Sequence, residues 1–403
     1  MTILYISQNG VTDHIGRSQV APYVMGLARL GYDIHVLSAE KPDREDLVSR
    51  YAQEFDASGV AWTRVPYQNK PRYLGQARTQ WELRAAARRI ARMDRVELVH
   101  CRSFPPALIG WELKRDFGVK FIFDFRDFYA DGGIAKASGL QKLLSHGMKR
   151  VEGPMIRAAD KIVCLTERAA SLLAEFYLWD RPDPASHFQV VPCCADFRHF
   201  DPAAVSEADK RRVRKRAGLT ENDFVLIYLG SLGPDYLLPQ MMALFAQVLA
   251  ARPNAKFLFL ANNGEELVGK ACTAQHIPRD RIAFVSADRD EVPAFLCIAD
   301  LSVIFIRADL SKAGCSPTKL AELFACNVPV IANTGVGDMD RIIDHERNGS
   351  AIVADFSEPT LRAAVDEALK PGVATNIREN SREFDLKAGV ERYAKVYAEL
   401  LQR

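Results

Sequence analysis

A lysine and a glutamate three positions apart, Lys319 and Glu322, are the side chains whose types and spacing best suit ligand chemistry. They lie in the segment SPTKLAELFA, after the apolar run LSVIFI and a short polar loop. If the run is a strand and the segment a helix, the helix N-terminus offers free N–H groups and positive partial charge to a phosphate. Lys319 would add a full positive charge, and Glu322, on the same helix face, can accept hydrogen bonds from a ribose diol. The pattern predicts a nucleotide site; the alternative is a capped surface helix with an ordinary Lys–Glu pair.

Glycine-containing turns follow the first strand-like run of each half of the sequence. After FVLIYL come Gly230, Ser231 and Gly233, which can bring backbone N–H groups against a phosphate. After ILYIS a loop carries Gly16 and Arg17, and a helix is predicted to begin at about residue 18. Arg17 could equally be a solvated loop residue. Neither turn has the G-x-G-x-x-G fingerprint, so dinucleotide binding is not indicated.

Charged side chains also follow two further apolar runs of the first half. VHCR ends in His100 and Arg102, and FIFDF is followed by Arg126, Asp127 and Asp131. Charges so close to buried strands are costly unless they are paired or functional. The residues therefore predict either acceptor-side chemistry or a structural histidine and an Asp–Arg network that stiffens the loop.

Short apolar runs alternate with longer helical patterns along the whole chain, and these must position the candidate residues. Many of the runs are apolar throughout, which is typical of parallel strands covered by helices on both faces. The pattern restarts at Phe224 after a polar stretch. We expect an α/β protein with two doubly wound parallel-sheet domains, 1–205 and 206–380, facing each other across a cleft. An amphipathic last helix, within 381–403, is expected to pack back on the first domain.

The composition of the 403 residues excludes several classes of protein. With 48% hydrophobic and 26% charged residues and a net charge of +2, the chain is neither disordered nor a general nucleic-acid binder. The eight cysteines show no metal-ligand spacing, and no apolar stretch approaches the about 20 residues of a spanning helix. With no signal peptide recognised, we expect a cytoplasmic protein. Two basic stretches, 84–95 and 209–216, are either solvated helix faces or contacts with an anionic membrane or phosphate.

The segment SPTKLAELFACNVPVIANTGVGD resembles the nucleotide-sugar-binding segment of family 4 glycosyltransferases, the retaining enzymes of GT-B fold. In that family two glutamates separated by seven residues contact the donor. Glu322 matches the second, whereas Gly314 stands in place of the first. Ser316, Pro317 and Lys319 match the SP-x-K form of a subgroup. The stretch GRSQVAPYVMGLARLG resembles a variant found in enzymes of bacterial surface-polysaccharide pathways.

The resemblance implies transfer of a sugar, with retention, from a nucleoside-diphosphate sugar to a hydroxyl of a glycan or lipid-linked acceptor, with no metal or other cofactor. It implies catalytic roles for Lys319 and Glu322 and, less directly, for Arg126 and Asp127. Donor binding is assigned to Lys319 and Glu322 and to ten further residues: Gly16, Arg17, Gly230, Ser231, Gly233, Val285, Ser286, Ser316, Pro317 and Thr318. The acceptor side is assigned to His100, Arg102 and Asp131. Two alternatives stay open: a non-catalytic subunit that binds sugar nucleotides, and a nucleotide-sugar 2-epimerase of the same fold.

Overall fold

A computed structural model describes residues 1–136, 138–370 and 376–402, and the chain forms two compact units. The first unit contains Met1–Cys193, Ala313–Cys315 and Leu386–Arg403, and the second contains Cys194–Lys312 and Ser316–Asp385. The predicted boundary between residues 205 and 206 thus lies inside the second unit. Residues 194–205 contact the rest of the second unit through Arg378, whose guanidinium group donates hydrogen bonds to the carbonyl oxygens of Phe197 and Phe200.

The first unit is built on a parallel sheet of seven strands in the order β3-β2-β1-β4-β5-β6-β7. Its strands are β1 (Thr2–Ser7), β2 (Asp33–Glu40), β3 (Ala61–Pro66), β4 (Val96–Arg102), β5 (Lys120–Phe125), β6 (Lys161–Cys164) and β7 (Phe188–Val190). Its helices before the second unit are α1 (His14–Gln19), α2 (Ala21–Arg29), α3 (Glu45–Ala57), α4 (Arg72–Met93), α5 (Phe104–Phe117), α6 (Tyr129–Lys136), α7 (Gly139–Ala158) and α8 (Glu167–Tyr177). The strand order reverses between β1 and β4, so the carboxyl ends of these two strands border the crevice where such sheets bind ligands.

The second unit has a parallel sheet of six strands in the order β10-β9-β8-β11-β12-β13. Its strands are β8 (Phe224–Leu229), β9 (Ala255–Leu260), β10 (Ile282–Val285), β11 (Leu301–Ile304), β12 (Val330–Asn333) and β13 (Ala351–Val353). Its helices are α9 (Glu207–Arg216), α10 (Leu238–Ala251), α11 (Glu265–Ala274), α12 (Val292–Leu296), α13 (Thr318–Ala325), α14 (Met339–Ile342), α15 (His345–Asn348), α16 (Glu358–Ala368) and α17 (Ile377–Asn380). Here the order reverses between β8 and β11. Both sheets are doubly wound, as the alternation of strand and helix patterns predicts.

The last helix, α18 (Leu386–Leu401), belongs to the first unit, as the sequence predicts. It lies so close to α2 that a Cβ added at Gly26 would be 2.6 Å from a methyl group of Val390. Tyr32 donates a 2.9 Å hydrogen bond to the carbonyl oxygen of Ala394, and Lys161 forms a 2.8 Å ion pair with Glu399. The apolar face of α18 therefore completes the core of the first unit.

In the described residues, none of the helices has both the length and the apolar character needed to cross a bilayer.

Candidate functional site

The helix that carries Lys319 and Glu322, α13, is buried along most of its length. Six of its eight residues are buried, which overturns the alternative of a surface helix. It follows the carboxyl end of β11, as predicted, but it begins at Thr318. The sequence favours Ser316 as the N-cap, because serine is common at that position, but the N-cap is Pro317, in an extended conformation (φ −68°, ψ 117°). A proline N-cap has no side-chain oxygen with which to accept from the first turn; the N–H group of Leu320 donates instead to the carbonyl oxygen of Pro317 at 3.0 Å.

The Lys319 ammonium group lies between two tyrosine rings. Its Nζ is 4.5 Å from the ring centroid of Tyr228 and 4.4 Å from that of Tyr236, and 3.5 Å from the Tyr228 hydroxyl. Aromatic faces attract a cation, at about 0.5–1 kcal/mol each in exposed settings. The two rings thus hold the lysine at the carboxyl ends of β8 and β11, where the strand order reverses.

The turn after β8 explains how this arrangement is built. Gly230 has φ +117°, a backbone angle that favours glycine, and a Cβ there would be 2.9 Å from the Nζ of Lys319, so a larger residue would displace the ammonium group. Tyr236 forms a bridge with Ile306, next to β11, which brings its ring to the lysine. The Tyr228 hydroxyl donates to the carbonyl oxygen of Ser231 at 2.8 Å.

Glu322 is 8% exposed and forms its ion pair with Arg289, at 3.3 Å, and not with Lys319. Burial raises the pKa of this carboxyl, while Arg289 and then Lys319 oppose the rise. Arg289 lies in the turn Arg289–Glu291 and also packs over the ring of Phe200. The carboxylate is thus fixed close to the start of α13, as a diol-binding group requires.

Four further predicted donor residues, Ser231, Gly233, Val285 and Ser286, lie in the second unit, at or just after the carboxyl ends of β8 and β10. Ser231 is exposed, and a Cβ at Gly233 would meet no described atom within 4 Å, so that backbone is open to a ligand. Val285 is the last residue of β10, and the hydroxyl of Ser286 donates to Asn262 at 2.7 Å. The carbonyl oxygen of Ser286 already accepts a hydrogen bond from Arg216.

In the first unit, the charged residues at the ends of β4 and β5 form a buried network with α18. His100 and Asp124 are fully buried; the imidazole contacts the Tyr397 hydroxyl at 2.7 Å and the Asp124 carboxylate at 3.3 Å. Arg126 donates to Asp124 at 2.6 Å and to the Tyr393 hydroxyl at 2.7 Å. These contacts bring His100 and Arg126 together, and they favour the structural interpretation of both residues.

The protonation states follow from burial and neighbouring charge. Burial lowers the pKa of His100, although Asp124 opposes it, so the imidazole is neutral at pH 7. Burial alone would raise the pKa of Asp124, but Arg126, His100 and Arg102 together hold it at about 2. The buried carboxylate is therefore ionised under all ordinary conditions.

The other predicted residues of the first unit are not all in this network. Asp127 is exposed at the turn after β5, and Asp131 pairs with Lys149 at 2.7 Å. Gly16 lies inside α1, which begins at His14, earlier than predicted. A Cβ at Gly16 would be 2.0 Å from the carbonyl oxygen of Gly10, so the glycine is required for packing. The Nε atom of Arg17 is buried without a hydrogen-bond partner among the described residues.

The basic stretches carry ion pairs with acidic neighbours. Arg84 pairs with Glu112 and Arg88 with Asp116, both at 2.5 Å. Arg216, at the end of α9, pairs with Glu291. Paired arginines of this kind favour the interpretation as solvated helix faces.

Four contacts of the candidate residues are missed by the sequence. Arg289 is 33 positions before Glu322, in a turn with no motif of its own, and Tyr228 reads as an ordinary core residue of a strand. Of these partners, Tyr393 and Tyr397, spaced by four on the last helix, give a sequence signal, because they place polar groups on an otherwise apolar face. Among the residues described, no group of three or more His, Cys, Asp or Glu side chains could hold a metal ion.

Comparison with known families divides the chain in two. Residues 17–194 match the family described as glycosyl transferase 4-like domain, and residues 209–384 match the family described as glycosyl transferases group 1. A D-inositol 3-phosphate glycosyltransferase of Segniliparus rotundus is 26% identical over 251 residues, or 59% of this chain and 51% of that protein. The aligned region thus spans about half the length of that relative.

Solved structures share the fold along the whole chain. The sucrose-phosphate synthase of Thermosynechococcus elongatus superposes with a TM-score of 0.73 at 17% identity, covering 100% of this chain and 99% of that one. The Anabaena protein HepE, solved in complex with UDP-glucose, gives a TM-score of 0.68 at 15% identity, covering 99% and 100%. At such identities the likeness concerns the two-domain Rossmann-like architecture.

Proposed function

Because its two halves match these two families, the chain belongs to the two-domain glycosyltransferases of GT-B fold, and we propose that it transfers a sugar from a nucleoside-diphosphate sugar to a hydroxyl of a glycan or lipid-linked acceptor. The observation that carries the proposal is the pair on α13. A lysine between two tyrosine rings suits a diphosphate, and a fixed carboxylate three residues on suits a ribose. The solved complex of HepE with UDP-glucose makes a uridine donor the first choice for testing.

The proposed reaction proceeds with retention and without a metal ion. The acceptor oxygen bonds to the anomeric carbon while the bond from that carbon to the β-phosphate oxygen breaks. The electron pair stays on the phosphate, which takes the proton of the acceptor hydroxyl on the same face. Lys319 and the N-terminus of α13 stabilise the negative charge that develops on the diphosphate, and such preorganised charge is a large catalytic effect.

One residue favours a second candidate, a non-catalytic subunit that binds sugar nucleotides. Gly314 stands where family 4 enzymes carry a donor-contacting glutamate, so the donor sugar has one ligand fewer. A catalytic protein must hold this sugar through other groups, whereas a binding subunit need not.

Donor hydrolysis separates the two candidates. The purified chain, with EDTA present, is incubated with UDP-, GDP- and ADP-sugars, and release of nucleoside diphosphate is followed. If the chain is a transferase, we expect slow release of nucleoside diphosphate from at least one donor. This release should be lost in Lys319→Met but not in Lys270→Met, whose lysine is exposed on α11. Nucleotide binding without release from any donor supports the binding subunit instead. The same proposal places the activity in the cytoplasm, in bacterial surface-polysaccharide synthesis, with a lipid-linked acceptor at the inner membrane face.

A further inference from the structure

Arg102, the last residue of β4, is a buried arginine whose charge is not balanced by an ion pair. The residue is 7% exposed, and its Nε is shielded from solvent without a hydrogen-bond partner. Across the described ranges, 1–136, 138–370 and 376–402, its guanidinium group takes part in no hydrogen bond and no ion pair. Its neighbours in the sheet, Ser7 on β1 and Asp124 on β5, are paired with it through the backbone.

The charges around Arg102 leave the buried network with an excess positive charge. Arg102 and Arg126 both act on the single carboxylate of Asp124. Arg126, at 2.6 Å, and His100, at 3.3 Å, both contact Oδ2 of that carboxylate, and its Oδ1 is buried without a hydrogen-bond partner among the described residues, so Arg102 does not reach it either. His100 is neutral, so it contributes no balancing charge. The network therefore has two cations for one anion.

Such an excess is unfavourable in the ligand-free protein. Burying a charged group is costly unless it is paired, and removing the partner of a buried ion is strongly destabilising. An arginine that only supported the fold would be expected to reach a carboxylate. The free-energy cost of burying Arg102 without a partner is explained if a bound ligand supplies the balancing negative charge.

The position of Arg102 agrees with an external anion. The strand order of the first sheet reverses between β1 and β4, and ligands of such sheets bind beyond the carboxyl ends of the strands at this point. Helix α5 follows directly, but Pro105 and Pro106 in its first turn lack N–H groups. The charge at this place must therefore come from the guanidinium group more than from the helix terminus.

We propose that Arg102 binds an oxyanion, a phosphate or a carboxylate group, on the acceptor substrate. This inference rests on the proposed function, because it assigns the anion to the acceptor of the transfer. It narrows the acceptor to a molecule that carries a negative charge near the hydroxyl that is glycosylated. The planar guanidinium fork matches both phosphate and carboxylate in a bidentate geometry.

The test uses the full chain and two simple probes. Inorganic phosphate and acetate are titrated separately at constant ionic strength, by calorimetry and by thermal unfolding, with saturating UDP present so that the nucleotide site is filled. The variants are Arg102→Gln and Arg102→Lys, and the matched control is Arg89→Gln, an exposed arginine of α4. Binding of phosphate but not acetate would indicate a phosphate group on the acceptor, and binding of acetate but not phosphate would indicate a carboxylate.

We expect one probe to bind the wild-type chain and the Arg89→Gln control equally. In Arg102→Gln its affinity falls at least about tenfold, since hydrogen bonds to a charged group are lost. Arg102→Lys, which keeps the charge without the fork, retains part of the affinity. Without the probe, Arg102→Gln unfolds at the same temperature as the wild type or higher, because an unpaired buried charge is removed.

Three results would overturn the inference: equal binding of the probe to wild type and Arg102→Gln, no binding of either probe, or a lower unfolding temperature of the probe-free variant. If saturating UDP abolishes the response, the anion belongs to the donor and the inference is also wrong. If none of UDP, GDP and ADP binds the wild-type chain, the proposed function fails, while titrations without a nucleotide still test Arg102.

Discussion

Replacing Lys319 by methionine removes the positive charge while keeping most of the volume between the rings of Tyr228 and Tyr236. At about 4 Å and an effective dielectric constant of about 20, one lysine–phosphate charge pair has a gross energy of about 4 kcal/mol. Desolvation of both partners reduces this, and hydrogen bonds to charged groups contribute about 1.5–3 kcal/mol net. Lys319→Met should therefore weaken binding of UDP by about 10- to 150-fold.

The assay is calorimetric titration of UDP and of uridine at physiological salt. Uridine has no phosphate, so its affinity should change less than about twofold, within the usual effect of a surface change. Lys270→Met serves as the control, since its ammonium group pairs with Glu266 on the exposed face of α11. The reasoning is refuted if Lys319→Met binds UDP like the wild type, or if UDP and uridine lose affinity by the same factor.

Three further predictions concern the carboxylates and a glycine. Burial raises the pKa of Glu322 and Arg289 opposes this, so in Arg289→Gln the loss of UDP affinity on acidification should begin at a higher pH than in the wild type; an unchanged pH profile contradicts it. The pKa of Asp124 is about 2, below its unfolded value of 3.8, so Asp124→Asn should cost about 2 kcal/mol at pH 7. In urea unfolding this difference should shrink as the pH falls from 4 towards 2, and a constant difference would speak against the ion-pair origin. Gly16→Ala places a Cβ 2.0 Å from a backbone oxygen and should cost about 1–3 kcal/mol in thermal unfolding, whereas Gly147→Ala, with open space around it, should not.

The architecture could be read from the sequence because each strand of both sheets is a short apolar run between helical patterns. The placement of Lys319 and Glu322 followed from the same local rule, since the start of a helix after β11 must lie at the carboxyl edge of the sheet. Residue preferences along the sequence did not predict where α1 and α13 begin. Gly16 lies inside α1, packed against the backbone of Gly10, and Pro317 is the N-cap of α13. The errors there amount to a few residues.

Contacts between distant parts of the chain could not be predicted in this way. Arg289 reaches Glu322, and Tyr393 reaches Arg126, only because the fold brings separate elements together. The sequence leaves open a structural role for His100, and its burial against Tyr397 favours that role. The lack of an ion pair at Arg102 could not be predicted either, since it depends on where the fold places the guanidinium group relative to Asp124.

The most direct test of the central claim, that α13 binds the donor, is a crystal structure of the chain with UDP. We expect diphosphate oxygens at about 3 Å from the Nζ of Lys319, and the ribose hydroxyls at hydrogen-bond distance from the carboxylate of Glu322. A nucleotide bound away from α13, or one whose diphosphate is held without Lys319, would contradict it.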